Sequence, residues 1–169
     1  LCVAGISGMP GGFKYFGCFP LRGKGINVQN SSLSAQLNNA ELTNLKKIMG
    51  LVSGEEYTSD NISSKLRYSR IMVAADSDCD AQHIIGLTAN IFNTLWPSLL
   101  KIPNFLSLLR TPSITLTKNK TVIQFYSLPQ YESWASNNNV NTFKVKYYKG
   151  LGTSTPSEAK QYFKELKIV

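Results

Sequence analysis

Residues 69–84 read SRIMVAADSDCDAQHI. An apolar run, 71–75, comes first, and Asp76, Asp78 and Asp80 then stand at alternate positions, ahead of His83, the only histidine. The apolar run is short and β-branched in part, which reads as a buried strand. Beyond the acids, Ile84, Leu87, Ile91, Leu95 and Leu99 recur at helical intervals, and Pro97 is expected to kink or shorten that helix. Strand, acidic turn and helix together make an α/β unit. In open α/β sheets ligands bind beyond the carboxyl ends of the strands, and Asp76 falls at that end.

Carboxylates this close repel, and each raises the other's pKa when unpaired. A divalent cation removes the conflict. Hard oxygen donors, few in number and beside a phosphate, suit Mg²⁺ better than zinc or copper. The pattern alone leaves a second reading open: a solvated acidic loop, with Asp80 as the N-cap of the next helix. An EF-hand loop is excluded in outline, since no glutamate follows at the required position and Ala81 stands where glycine is preferred.

The rest of the chain gives the acids an unusual setting. The net charge is +8 over 169 residues. Residues 1–40 hold Lys14, Arg22 and Lys24 and no acid, and residues 81–131 hold Lys101, Arg110, Lys118 and Lys120 and no acid. Such a background suits a polyanionic partner. Three dispersed cysteines, Cys2, Cys18 and Cys79, have no zinc-site spacing and imply no disulfide framework. No apolar stretch approaches the ~20 residues of a membrane helix, and residues 1–12 lack the basic start and apolar core of a signal peptide.

Outside the acidic unit, residues 16–21 read as a short strand ending at Pro20. Residues 39–51, NAELTNLKKIMGL, carry Leu42, Leu45, Ile48 and Met49 at helical spacing, with Gly50 as the stop. Residues 53–65 are polar and read as a loop. Strands are expected at 113–117 and 121–127 around the turn KNK, and again at 143–148, FKVKYY, with Phe143, Val145 and Tyr147 on one face and Lys144, Lys146 and Tyr148 on the other. A helix follows at 155–166, capped by Thr155 or Ser157, with Pro156 in its first turn.

Two glycine–cation turns complete the picture. FPLRGKGINV offers Arg22, Lys24 and Asn27; KVKYYKGLGTS offers Lys149 beside Gly150 and Gly152. Glycines beside a cation let backbone amides approach a phosphate closely. Together with the acids they read as a metal site that works on a nucleic-acid phosphate.

These blocks carry a resemblance. FPLRGKGINV, NAELTNLKKIMGL, LRYSRIMVAADSDCDAQHIIGL, WPSLL, FYSLPQYESW and KVKYYKGLGTSTPSEAKQYF resemble, in order, the TOPRIM segment of type IIA DNA topoisomerases, and the eukaryotic-type enzyme more than bacterial gyrase. The resemblance implies an α/β TOPRIM (Rossmann-like) fold, with a largely parallel central sheet flanked by helices. Residues 1–169 are then a single TOPRIM domain fragment of a longer enzyme, beginning just after the family's E-G-D-S-A motif.

It also implies Asp76, Asp78 and Asp80 as the metal set for Mg²⁺, with Mn²⁺ as a substitute. Arg22, Lys24, Asn27, His83 and Lys149 are implied as DNA contacts. Catalysis would come from a tyrosine in a separate winged-helix domain, so no residue here is the nucleophile and the isolated chain is expected to be inactive. Double-stranded DNA is the implied substrate, a homodimer the implied assembly, and ATP a cofactor bound outside these residues. The location would be nuclear in a cell, or a viral replication site, and not a secreted one.

Ala81 and Gln82 replace the family's usual glycine and serine, and Gly25 its aliphatic residue, which marks a divergent member such as one from a large DNA virus. Other TOPRIM-type phosphotransfer enzymes (a primase or nuclease) and a non-catalytic DNA-binding module are the competing readings.

Overall fold

A computed structural model of the chain describes residues 1–21, 26–75, 79–148 and 154–168, with the backbone alone for Cys79, Asp80 and Ala81. These residues fall into two compact units. One comprises Phe19–Val73 and Cys79–Leu108; the other comprises Leu1–Cys18, Ala74–Asp78 and Leu109–Val169.

The first unit contains the acidic region's neighbours. Strand β1 (Ile71–Ala74) and strand β2 (Leu106–Leu109), each with its last residue beyond the unit's bounds, form a two-stranded parallel sheet. Ile71 N–H donates to the Phe105 carbonyl at 2.7 Å and Ser107 Oγ to the Ile71 carbonyl at 3.2 Å. A parallel pair needs a crossover, and the long helix Cys79–Leu95 supplies it. Trp96 leaves helical geometry and Pro97 opens a separate one-turn helix, Pro97–Leu100, as proline at N1 allows.

Helix Ala40–Met49 runs as its pattern requires. Asn39 Oδ1 accepts from Leu42 N–H at 2.8 Å, and Gly50 ends it at φ 80°, a conformation glycine adopts without strain. The core of this unit gathers Val28, Leu42, Met49, Ile91, Phe92, Trp96, Leu99 and Phe105. Phe92 and Phe105 meet edge to face with centroids 5.2 Å apart. Trp96 Nε1 donates to the Val52 carbonyl at 2.7 Å, which satisfies the one polar atom of a buried indole.

Two local expectations change. Residues 53–65 are not merely a polar loop: Tyr57 and Ile62 are buried, and a single helical turn, Ile62–Lys65, lies within the stretch. The polar residues around them hid two core anchors. Residues 16–21 form no strand, since the stretch is exposed and Gly17 and Pro20 give a ladder little to hold.

In the second unit, β3 (Ile114–Lys118), β4 (Thr121–Phe125) and β5 (Lys144–Tyr147) make an antiparallel sheet in the order β4-β3-β5. The tight turn at Asn119, φ 53°, permits only antiparallel pairing of β3 and β4. Thus the parallel pairing expected from the sequence is that of β1 and β2, and the three-stranded sheet is antiparallel.

Ile114, Leu116 and Phe125 form the buried face, packed by Tyr131 and Trp134 from helix Leu128–Ala135 and by Phe143 and Val145. At the chain's start, helix α1 (Cys2–Ser7) packs on the helix Pro156–Glu165. The contact is close because residue 5 is glycine: a Cβ there would lie 2.2 Å from the Phe163 ring.

Candidate nucleic-acid interface

The strand and the helix of the strand–turn–helix reading are present, but the helix starts at Cys79, so Asp80 lies inside it rather than in the turn or at its N-cap. β1 ends at Ala74 and the long helix begins at Cys79. Asp76 and Asp78 lie outside the described residues, as do Arg22, Lys24 and Lys149. Asp80 falls in the first turn of the helix Cys79–Leu95. Among the described residues no three histidine, cysteine, aspartate or glutamate side chains converge as a metal set. The fit of a metal therefore rests on donor chemistry: three carboxylates at alternate positions are hard ligands of the kind Mg²⁺ takes.

His83 is exposed on the second turn of the same helix. About two turns further, Asn90 Nδ2 donates to Asn27 Oδ1 at 3.1 Å. Asn27 begins the one-turn 3₁₀ helix Val28–Asn30, itself held by Gln36 Nε2 donating to the Val28 carbonyl at 3.0 Å. The structure thus brings Asn27, one of the expected DNA contacts, onto the flank of the helix that carries His83.

The segment 149–153 is framed by a network that sequence reading missed. Glu158 sits in the first turn of the helix Pro156–Glu165. Its carboxylate accepts from Lys146 Nζ at 2.8 and 2.9 Å, from Tyr148 Oη at 2.6 Å and from Thr155 N–H at 2.7 Å. Thr155 and Glu158 form a reciprocal capping box. Burial pushes the Glu158 carboxyl upward, but the Lys146 ammonium, the Thr155 amide and the Tyr148 hydroxyl outweigh it and hold the group at about 2.

Burial is also the main cause that raises Tyr148 and Tyr162 above the ordinary phenol. Lys146 and Tyr148 are therefore turned not to solvent but onto one carboxylate. The signal was present as T-x-x-E at residues 155–158, read only as a helix start.

The basic surface of this unit has structure as well. A cavity of about 530 Å³ opens among Arg110, Tyr126, Gln130 and Lys167. Arg110 Nη2 donates to the Tyr126 carbonyl at 3.5 Å, and Lys167 Nζ lies 4.5 Å from the centre of the Tyr126 ring. Among the described residues no carboxylate pairs with either cation.

Comparison with known proteins places this geometry. Residues 109–168 match the C-terminal associated domain of TOPRIM, a span that starts where the long segment of the second unit does. The chain is 47% identical over 169 residues to DNA topoisomerase 2 of Pisum sativum, covering 98% of this chain and 11% of that protein. It is 48% identical over 168 residues to DNA topoisomerase 2-alpha of Rattus norvegicus, covering 99% and 11%. Among solved structures, the topoisomerase II DNA-binding, cleavage and re-ligation domain of Plasmodium falciparum superposes with a TM-score of 0.90 at 40% identity, over 99% of this chain and 23% of that one. The chain spans about a tenth of the length of the curated relatives it matches.

Proposed function

The chain belongs to the eukaryotic-type type II DNA topoisomerases as their TOPRIM-containing segment, and on that premise we propose that it is the metal-binding part of a DNA cleavage and religation module. One observation carries the reading: 99% of the chain superposes on part of the topoisomerase II DNA-binding, cleavage and re-ligation domain of Plasmodium falciparum. Residues 1–169 act as a single TOPRIM segment of a longer, ATP-dependent, homodimeric enzyme that passes one duplex through another. In a cell that enzyme works in the nucleus.

The chemistry divides between this chain and the rest of the protein. A tyrosine of a winged-helix domain attacks a backbone phosphate, a phosphotyrosyl bond forms, and the 3′ oxygen of the broken DNA strand leaves. Asp76 and Asp78 hold Mg²⁺, or Mn²⁺ in its place, and Asp80 supports that set. The cation, when bound, would supply positive charge that anchors the DNA backbone phosphate. Arg22, Lys24, Asn27 and Lys149 anchor the DNA backbone, and His83 contacts the strand to be cut. Glu158 ties Tyr148, the last described residue before 149–153, to Thr155 beyond it. The long KYYKGLGTS and FPLRGK blocks favour a topoisomerase over another TOPRIM phosphotransfer enzyme.

The test is relaxation of supercoiled DNA. The full-length protein is expected to relax it with ATP and Mg²⁺, and the 169-residue chain alone is not. Relaxation by the isolated chain overturns the division of labour; its absence from the full-length protein overturns the assignment.

A further inference from the structure

Asn27 opens a helical turn without capping it. Elsewhere in the chain Asn39 and Asn139, at equivalent positions, spend their side-chain oxygens on a following backbone N–H, at 2.8 and 3.1 Å. Asn27 makes no such bond. Its Oδ1 instead accepts from Asn90 Nδ2 at 3.1 Å, and Asn90 Oδ1 accepts from the Thr94 hydroxyl at 3.3 Å. Asn90 and Thr94 are one turn apart on the helix Cys79–Leu95, so one face of that helix carries both.

The chain of bonds has a direction. An amide has one acceptor end and one donor end. The Asn90 oxygen accepts from the Thr94 hydroxyl, and the Asn90 nitrogen faces Asn27. That nitrogen in turn takes the oxygen of Asn27. Among the described residues the Asn27 Nδ2 makes no hydrogen bond, and it only donates. A phosphodiester oxygen only accepts.

We propose that Asn90, itself bonded to Thr94, and Thr94 through it are positioning residues that hold the Asn27 amide with its oxygen toward the helix Cys79–Leu95, so that it presents N–H groups to a DNA backbone phosphate. This rests on the assignment of DNA as the partner. It adds two residues to the interface that touch no DNA themselves and act only through Asn27. Because the relay is uncharged, it contributes affinity without releasing a counterion, unlike a lysine contact.

The experiment measures duplex-DNA affinity of the full-length protein across a salt series, beside a melting curve for each variant. Asn27→Ala and Asn90→Ala are each expected to weaken binding roughly three- to tenfold, the range of one hydrogen bond, with the salt slope unchanged. The double variant is expected to bind no more weakly than Asn27→Ala alone. Thr94→Val, at an exposed site, should lose part of the affinity, and Thr94→Ser, which keeps the donor, should lose none.

Additive losses, a changed slope, or wild-type affinity in Asn90→Ala and Thr94→Val would overturn the relay while leaving DNA binding intact. Absence of duplex binding by the unaltered protein would instead overturn the functional assignment, and the relay with it. If Asn90→Ala fails to fold, the Thr94→Val and Thr94→Ser pair decides.

Discussion

The Tyr148 hydroxyl donates to the Glu158 carboxylate at 2.6 Å, and through that one carboxylate the end of strand β5 and the start of the last helix are tied together. Lys146 and Thr155 complete the set. Three residues donating to one half-buried carboxylate have a consequence for stability that pH exposes.

Glu158 titrates at about 2 when folded and in the ordinary carboxylate range when unfolded. A depressed pKa stabilises the fold above the unfolded value and the contribution disappears as pH falls through the folded one. Glu158→Gln is therefore expected to lower stability by about 1–2 kcal/mol near neutrality, after allowance for a carboxylate still partly open to solvent. The deficit should shrink as pH falls from about 4.5 toward 2. Melting curves of both proteins across that range check it, and a deficit that grows on acidification would contradict the network.

Gly5 faces Phe163 with no room for a methyl group. Alanine would favour helix α1 by about 1 kcal/mol in propensity. Overpacking against a buried ring costs about 1–3 kcal/mol, so the clash wins. Gly5→Ala should melt lower, and a second change, Phe163→Leu, should recover part of the loss. A higher melting temperature for Gly5→Ala alone would show that the two helices can part without penalty.

Lys24→Ala is expected to weaken duplex binding and flatten its salt dependence, since one phosphate contact contributes a slope of about −0.9 on a log–log plot. An unchanged slope would reduce Lys24 to a turn residue.

What could be read from the sequence depended on how local the governing physics was. Helix 40–49 and its Gly50 stop were legible because periodicity and a left-handed cap act within one segment. The break at Pro97 was legible for the same reason. The burial of Tyr57 was not: its hydroxyl accepts from the Val52 amide and its own amide donates to Ser98, a residue 41 positions away. Nor was the partner of the Lys146 and Tyr148 face: alternation put the two side chains together, but not on Glu158, which lies on the following helix. Asn27 was found as a motif residue, but its Asn90 partner lies 63 positions on, beyond any spacing rule. The acids themselves were legible in type and order, and the role proposed for them rests on carboxylate chemistry.

That role is tested most directly by DNA cleavage as a function of Mg²⁺ concentration, in the full-length protein with and without Asp78→Asn. A neutral amide is a poorer ligand for Mg²⁺ and offsets none of its charge. The account predicts that the variant melts at or slightly above the unaltered protein in EDTA, because one of three repelling carboxylates has been removed, and that its cleavage is crippled at every Mg²⁺ concentration. A variant that unfolds in EDTA yet, wherever it remains folded, cleaves with the unaltered protein's dependence on Mg²⁺ would contradict it, and would make Asp78 a structural residue.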